Sequence, residues 1–121
     1  MRVLIVEGDR ALTEVWKRHL ERLGASVAVA VSQSEAVTHL QNEFVNVIVL
    51  SLDLVDGSAF AVADFASYRH PSARVVFVTR STFFSDGSIF RLIPNTAAYI
   101  ATETRPEDLA AIVEHHGTPA A

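Results

Sequence analysis

The chain has no cysteine, which excludes disulfides, thiolate-bound zinc and cysteine nucleophiles together. Lysine is nearly absent too: of the 10 basic residues all are arginine except Lys17, so chemistry that needs a flexible ammonium has one candidate. No apolar run among the 121 residues approaches the length needed to cross a bilayer, and the residues after Met1 lack a signal-peptide layout. A soluble cytoplasmic domain with no membrane partner is the expectation. The net charge of −4 supplies no positive field for a phosphate backbone, which argues against nucleic acid as a partner.

What is present is an ordinary globular composition, 50% hydrophobic and 20% charged, in a length that suits one buried core. The segment "RVLIV" (2–6) is continuous and apolar, as a strand covered on both faces is. Asp9 then caps a helix whose Leu12, Val15, Trp16, Leu20 and Leu23 recur at helical spacing before Gly24 stops it. "SVAVAV" (26–31) alternates valine with small residues, as suits a strand nearer a sheet edge, and Ser32 with Glu35 forms a capping box for a helix to about Gln41.

"VNVIVL" (45–50) predicts a third strand that stops at Ser51, followed by an Asp56-Gly57 turn and a helix over about 58–68. "ARVVFVT" (73–79) predicts a fourth strand and residues 86–93 a short helix before Pro94. "AAYIA" (97–101) predicts a fifth strand, and Thr104 with Glu107 a capping box for the last helix. The spacing predicts one domain over 1–118 with a tail at 119–121.

Strand and helix alternating in this way predict a parallel sheet with helices on both faces, an α/β fold. Ligand chemistry in such a sheet gathers outside the carboxyl ends of the strands. Here those ends are Glu7-Gly8-Asp9, Ser51, Thr79-Arg80 and Ala101-Thr102.

These tips, in order and spacing over about residues 1–116, are similar to the receiver domain of two-component response regulators. "VLIVEGD" resembles that family's first strand with its acidic pair, and "VIVLSLDLVDGSAF" its third strand with the phosphoacceptor and the following turn. "VVFVTRS" resembles the fourth strand with its switch hydroxyl, "TAAYIAT" the fifth with its switch aromatic and lysine. The resemblance implies a flavodoxin-like doubly wound sheet of five parallel strands in the order 2-1-3-4-5. It also implies a module that takes a phosphoryl group from a histidine kinase onto an aspartate beside Mg²⁺, an ion that wants carboxylate oxygens in tight geometry.

Set against that pattern, several positions depart. Ser51 stands where the resemblance requires the acceptor aspartate. Glu7 keeps a carboxylate, Gly8 has none, and Asp9 falls where a third acidic residue is common. Thr102 replaces the lysine and Glu103 the proline after it, and Lys17 lies inside the first helix. Thr79 and Tyr99 match the switch positions, though a threonine closing a buried strand and a tyrosine filling a sheet end account for them equally.

Arg80 departs as well. It is expected either to reach into the pocket and pair with Glu7 or Asp9, as a plug, or to be a solvated loop arginine. Ser51 lacks a base, since His19, His39, His70, His115 and His116 all fall on helices or helix ends. Mg²⁺ binding is expected to be weak or absent, with no catalytic residue and no metal site.

The leading expectation is a non-enzymatic pseudo-receiver acting through protein–protein interaction. Its partner is a signalling protein or a second copy, met through the 86–93 helix with Phe83, Phe84 and Phe90, the fifth strand and the last helix; a histidine kinase or a fused output domain are further candidates. One alternative is a phosphorelay regulator phosphorylated at Asp53 or Ser51. Another is a small anion-binding module lined by Arg80, Ser51, Thr79 and Thr102.

Overall fold

A computed structural model describes residues 1–80 and 93–117. The helix expected over 86–93, apart from Ile93, the three phenylalanines beside it and the tail therefore lie outside the described residues. The elements run β1 (Arg2–Val6), α1 (Arg10–Arg22), β2 (Ser26–Ala30), α2 (Gln33–Asn42), β3 (Val47–Ser51), α3 (Ala59–Arg69), β4 (Arg74–Thr79), β5 (Thr96–Ala101) and α4 (Pro106–Gly117). All strand pairs are parallel, in the order β2-β1-β3-β4-β5. This is the flavodoxin-like order that the resemblance implies.

The layers follow from the strand sequences. β1, β3 and β4 are interior and, past the exposed Arg2 and Arg74 that open β1 and β4, buried along their length because both faces are covered. Leu4, Val6, Ile48, Leu50, Val75 and Phe77 turn to one face, where α2 brings Ala36 and Leu40 and α3 brings Val62, Ala63 and Ala66. Val3, Ile5, Val47, Val49, Val76 and Val78 turn to the other, against Trp16 and Leu20 of α1 and Leu109, Ala110 and Val113 of α4. Each large side chain removed from water in this way contributes roughly 1.5–3 kcal/mol before the entropy of ordering is set against it.

Local chemistry sets the ends of the elements. Asp9 caps α1 as its position predicts, accepting from the amides of Ala11 and Leu12, and Gly24 takes the left-handed conformation, φ 89°, just past the helix. Ser32 caps α2 by accepting from Glu35 N, while Glu35 Oε1 accepts from Val31 N. The expected box at Thr104 does not form. Pro106 opens α4, a position that suits its missing N–H, and the Glu107 carboxylate is held by Arg105 Nε at 2.7 Å.

The third strand is also placed differently: Val45 and Asn46 precede it and Ser51 belongs to it. Asn46 instead joins strand starts, accepting from Arg2 N through its side chain and from Arg74 N through its carbonyl.

Candidate functional site

The carboxyl tips of β1, β3, β4 and β5 meet at one end of the sheet, since the parallel register aligns Val6 with Leu50, Ser51 with Val78 and Thr79 with Ala101. Ser51 ends β3 and is 1% exposed. Its Oγ accepts from Asp53 N at 3.1 Å, so the hydroxyl is engaged in turning the chain out of the strand. The five histidines lie on α1, α2 and α4 and at the C-cap of α3. Two have the carbonyl of a helix beside a ring nitrogen, His19 at Val15 and His70 at Leu40.

The β1 tip is closed on itself. Glu7 is buried, and its Oε1 accepts from Asp9 N at 3.0 Å. Asp9 spends Oδ1 on the α1 cap, at 2.9 Å from Ala11 N. Between them Gly8 has no positive φ, and a Cβ there would meet only Val31 O, at 3.8 Å. Packing thus accepts a side chain at residue 8, and the missing carboxylate is not imposed by the backbone.

Arg80, just past β4, ties two tips together. Its amide donates to Asp53 Oδ2 at 2.9 Å, and its Nη2 lies 3.6 Å from Asp9 Oδ2. Ser51, Asp53, Arg80, Asp9 and Glu7 therefore form one continuous run of polar contacts across the β3, β4 and β1 tips. The guanidinium is more than half exposed, so the ion pair itself contributes at most about 1 kcal/mol; its consequence is where it puts a positive charge. Among the described residues no three His, Asp or Glu side chains converge as a metal-binding group; Glu7 and Asp9 each have one carboxylate oxygen on a backbone amide, and Arg80 lies beside the other oxygen of Asp9.

At the β4–β5 side, Thr79 is buried and its carbonyl accepts from Thr102 N at 2.9 Å, which carries the ladder one residue past the strand. Tyr99, opposite Phe77 on β5, is 40% exposed. Lys17 lies on α1 and lines a cleft against Val29 and Val31.

Some contacts at these turns have no signal in the sequence. Arg80 N to Asp53 joins residues 27 apart, and Gln33 N donates to Asp56 O while Gln33 Oε1 accepts from Ser58 N, tying the turn after β3 to the start of α2. The turn itself had a signal in its Asp-Gly pair, and Gly57 sits at φ 105° where a Cβ would collide with Gln33. Nothing local in the sequence marks Gln33 as its partner.

No family model matches the chain. A response regulator receiver domain protein (CheY-like) from Methanospirillum hungatei superimposes with a TM-score of 0.86 at 28% identity, over 96% of this chain and 92% of that one. The non-phosphorylated HemR receiver domain from Leptospira biflexa does so at 0.87 and 23% identity, over 99% and 96%. In sequence, the chain is 29% identical over 108 residues to the alginate biosynthesis transcriptional regulatory protein AlgB of Pseudomonas putida. That match covers 89% of this chain but 24% of AlgB, so the chain spans about a quarter of that relative's length. The chain thus has the receiver (CheY-like) fold.

Proposed function

We propose that the chain is a pseudo-receiver: a signal-transduction module of receiver type that takes no phosphoryl group at the β3 tip and acts through phosphorylation-independent protein contacts. The observation that carries this reading is the run of contacts from Ser51 through Asp53 and Arg80 to Asp9 and Glu7. Phosphoryl transfer is catalysed by positioning and by cations that neutralise the moving group. In this run the β3 tip offers a buried hydroxyl in place of a carboxylate nucleophile, the β1 carboxylates are occupied, and residue 102 is threonine. Arg80 brings its guanidinium to 3.6 Å from Asp9 while its main-chain amide holds Asp53; in this reading it is a plug where a receiver would hold a metal ion, and Mg²⁺ binding is weak or absent.

Thr79 and Tyr99 keep the places of switch residues without the trigger that would drive them. The contact surface in this reading includes β5, with exposed Tyr99, and α4. The test is intact-mass spectrometry after incubation with Mg²⁺ and acetyl phosphate, for which no adduct is expected. A stoichiometric phosphoryl adduct overturns the reading. Hydroxylamine lability would then assign the group to a carboxylate such as Asp53, and resistance to Ser51.

A further inference from the structure

β2 is an edge strand whose outer side is left open. Ser26 N donates to Met1 O at 2.9 Å and Ala30 O accepts from Glu7 N at 3.1 Å, so Ser26, Ala28 and Ala30 turn their main-chain groups to β1. In a parallel ladder the intervening residues turn theirs away. Val27 and Val29 therefore point N–H and C=O outward, with no partner for these four groups among the described residues. The next outward amide, on Val31, is closed by Glu35 Oε1 at 3.2 Å. The opening is thus bounded, and it is centred on Ala28.

Sheet edges in monomeric proteins are usually guarded by charge, proline or a bulge. The β2 sequence SVAVA has no charge and no proline, and its register with β1 is unbroken. Space lies on both sides of it: a cleft of about 450 Å³ against α1, lined by Thr13, Lys17, Val29 and Val31, and one of about 500 Å³ against α2, lined by Val29, Thr38 and His39.

We propose that the occupant of this edge is a second copy of the chain, with the two β2 strands antiparallel about a two-fold axis through Ala28. That axis sets Val27 opposite Val29 of the second copy as a hydrogen-bonded pair, twice, so that all four open groups are satisfied. It also sets Ala28 against its own image in the close, non-hydrogen-bonded position, where Cα atoms approach to about 4.5 Å and a methyl side chain suits.

Charge on the flanking helix agrees with the same symmetry. Arg10, Glu14, Lys17 and Glu21 fall at helical spacing on one stripe of α1. The antiparallel image of that stripe puts Arg10 against Glu21 and Glu14 against Lys17, acid against base throughout. The contact is isologous and closed, giving a dimer and not a filament.

The inference stands apart from the chemistry of the strand tips, and its test reads association only. Because the chain has no cysteine, Ala28→Cys introduces a single thiol at the axis, within disulfide reach of its image. Light scattering is expected to give twice the 13.2 kDa chain mass, and mild oxidation of Ala28→Cys a covalent dimer, formed far faster than by Val55→Cys at the 98% exposed Val55. Val29→Lys is expected to give a folded monomer by circular dichroism and light scattering. Val29→Pro, which removes an outward N–H and no β1 hydrogen bond, is expected to do the same. A wild-type monomer at the highest soluble concentration, cross-linking no faster than Val55→Cys, or a dimer that survives both Val29 variants overturns the proposal.

Discussion

All five residues of β3 are buried, yet Asp53, two residues past its end, stands in solvent. The interior of the sheet and its carboxyl tips answer to different physics. In the interior, Ile48, Leu50 and Phe77 are held by apolar contacts that any change of volume disturbs. At the tips, Gly8 and Thr102 occupy positions where packing sets few limits: Gly8 has room for a side chain and Thr102 is held through its backbone amide. Likeness of fold carries the scaffold and does not by itself carry the reaction.

This contrast can be broken by mutation. Phe77→Ala removes a fully buried ring and is expected to cost about 3–5 kcal/mol in urea unfolding. Arg80→Ala breaks one exposed ion pair but keeps the backbone contact to Asp53, and is expected to cost less than about 1 kcal/mol. Comparable losses in the two variants would mean that the tips carry the fold after all.

A smaller effect belongs to the opposite end of the sheet. His116, near the end of α4, is held below the ordinary imidazole value of 6.5 by desolvation first, and then by the charges of His115 and Arg74. Its folded form gives up a proton that the unfolded chain keeps, so the unfolded state binds more protons between the lowered value and 6.5. The contribution is complete above 6.5 and is lost as pH falls below it. Urea midpoints on either side of that pH should show a smaller acid-side loss for His116→Gln than for wild type, and equal losses would remove His116 as the cause.

The fold was largely legible because each interior strand announces itself as an apolar run and each crossover helix as a stripe such as Trp16 and Leu20. Caps were legible where one residue decides them, at Asp9, Ser32 and Gly24. The box at Thr104 was misread because two nearby residues compete: Pro106 fixes the helix start and Arg105 takes the Glu107 carboxylate.

At the site, the identities of Ser51, Gly8 and Thr102 were plain in the sequence, whereas the tie from Arg80 N to Asp53 was not, because it depends on how two loops 27 residues apart approach. The open groups of Val27 and Val29 were similarly out of reach. Alternation suggested an edge, but which residues turn their main chain outward is set by the register with β1.

In the proposed reading the phosphoryl site is missing at several points at once, beyond its acceptor. The most direct test is the rate of Mg²⁺-dependent labelling of Ser51→Asp by acetyl phosphate, followed by intact mass. With Gly8 and Thr102 unchanged, residue 8 offers no carboxylate beside the new one and residue 102 no ammonium to meet the phosphoryl oxygens, and no appreciable adduct is expected. Rapid, stoichiometric, Mg²⁺-dependent labelling of that single variant would contradict it.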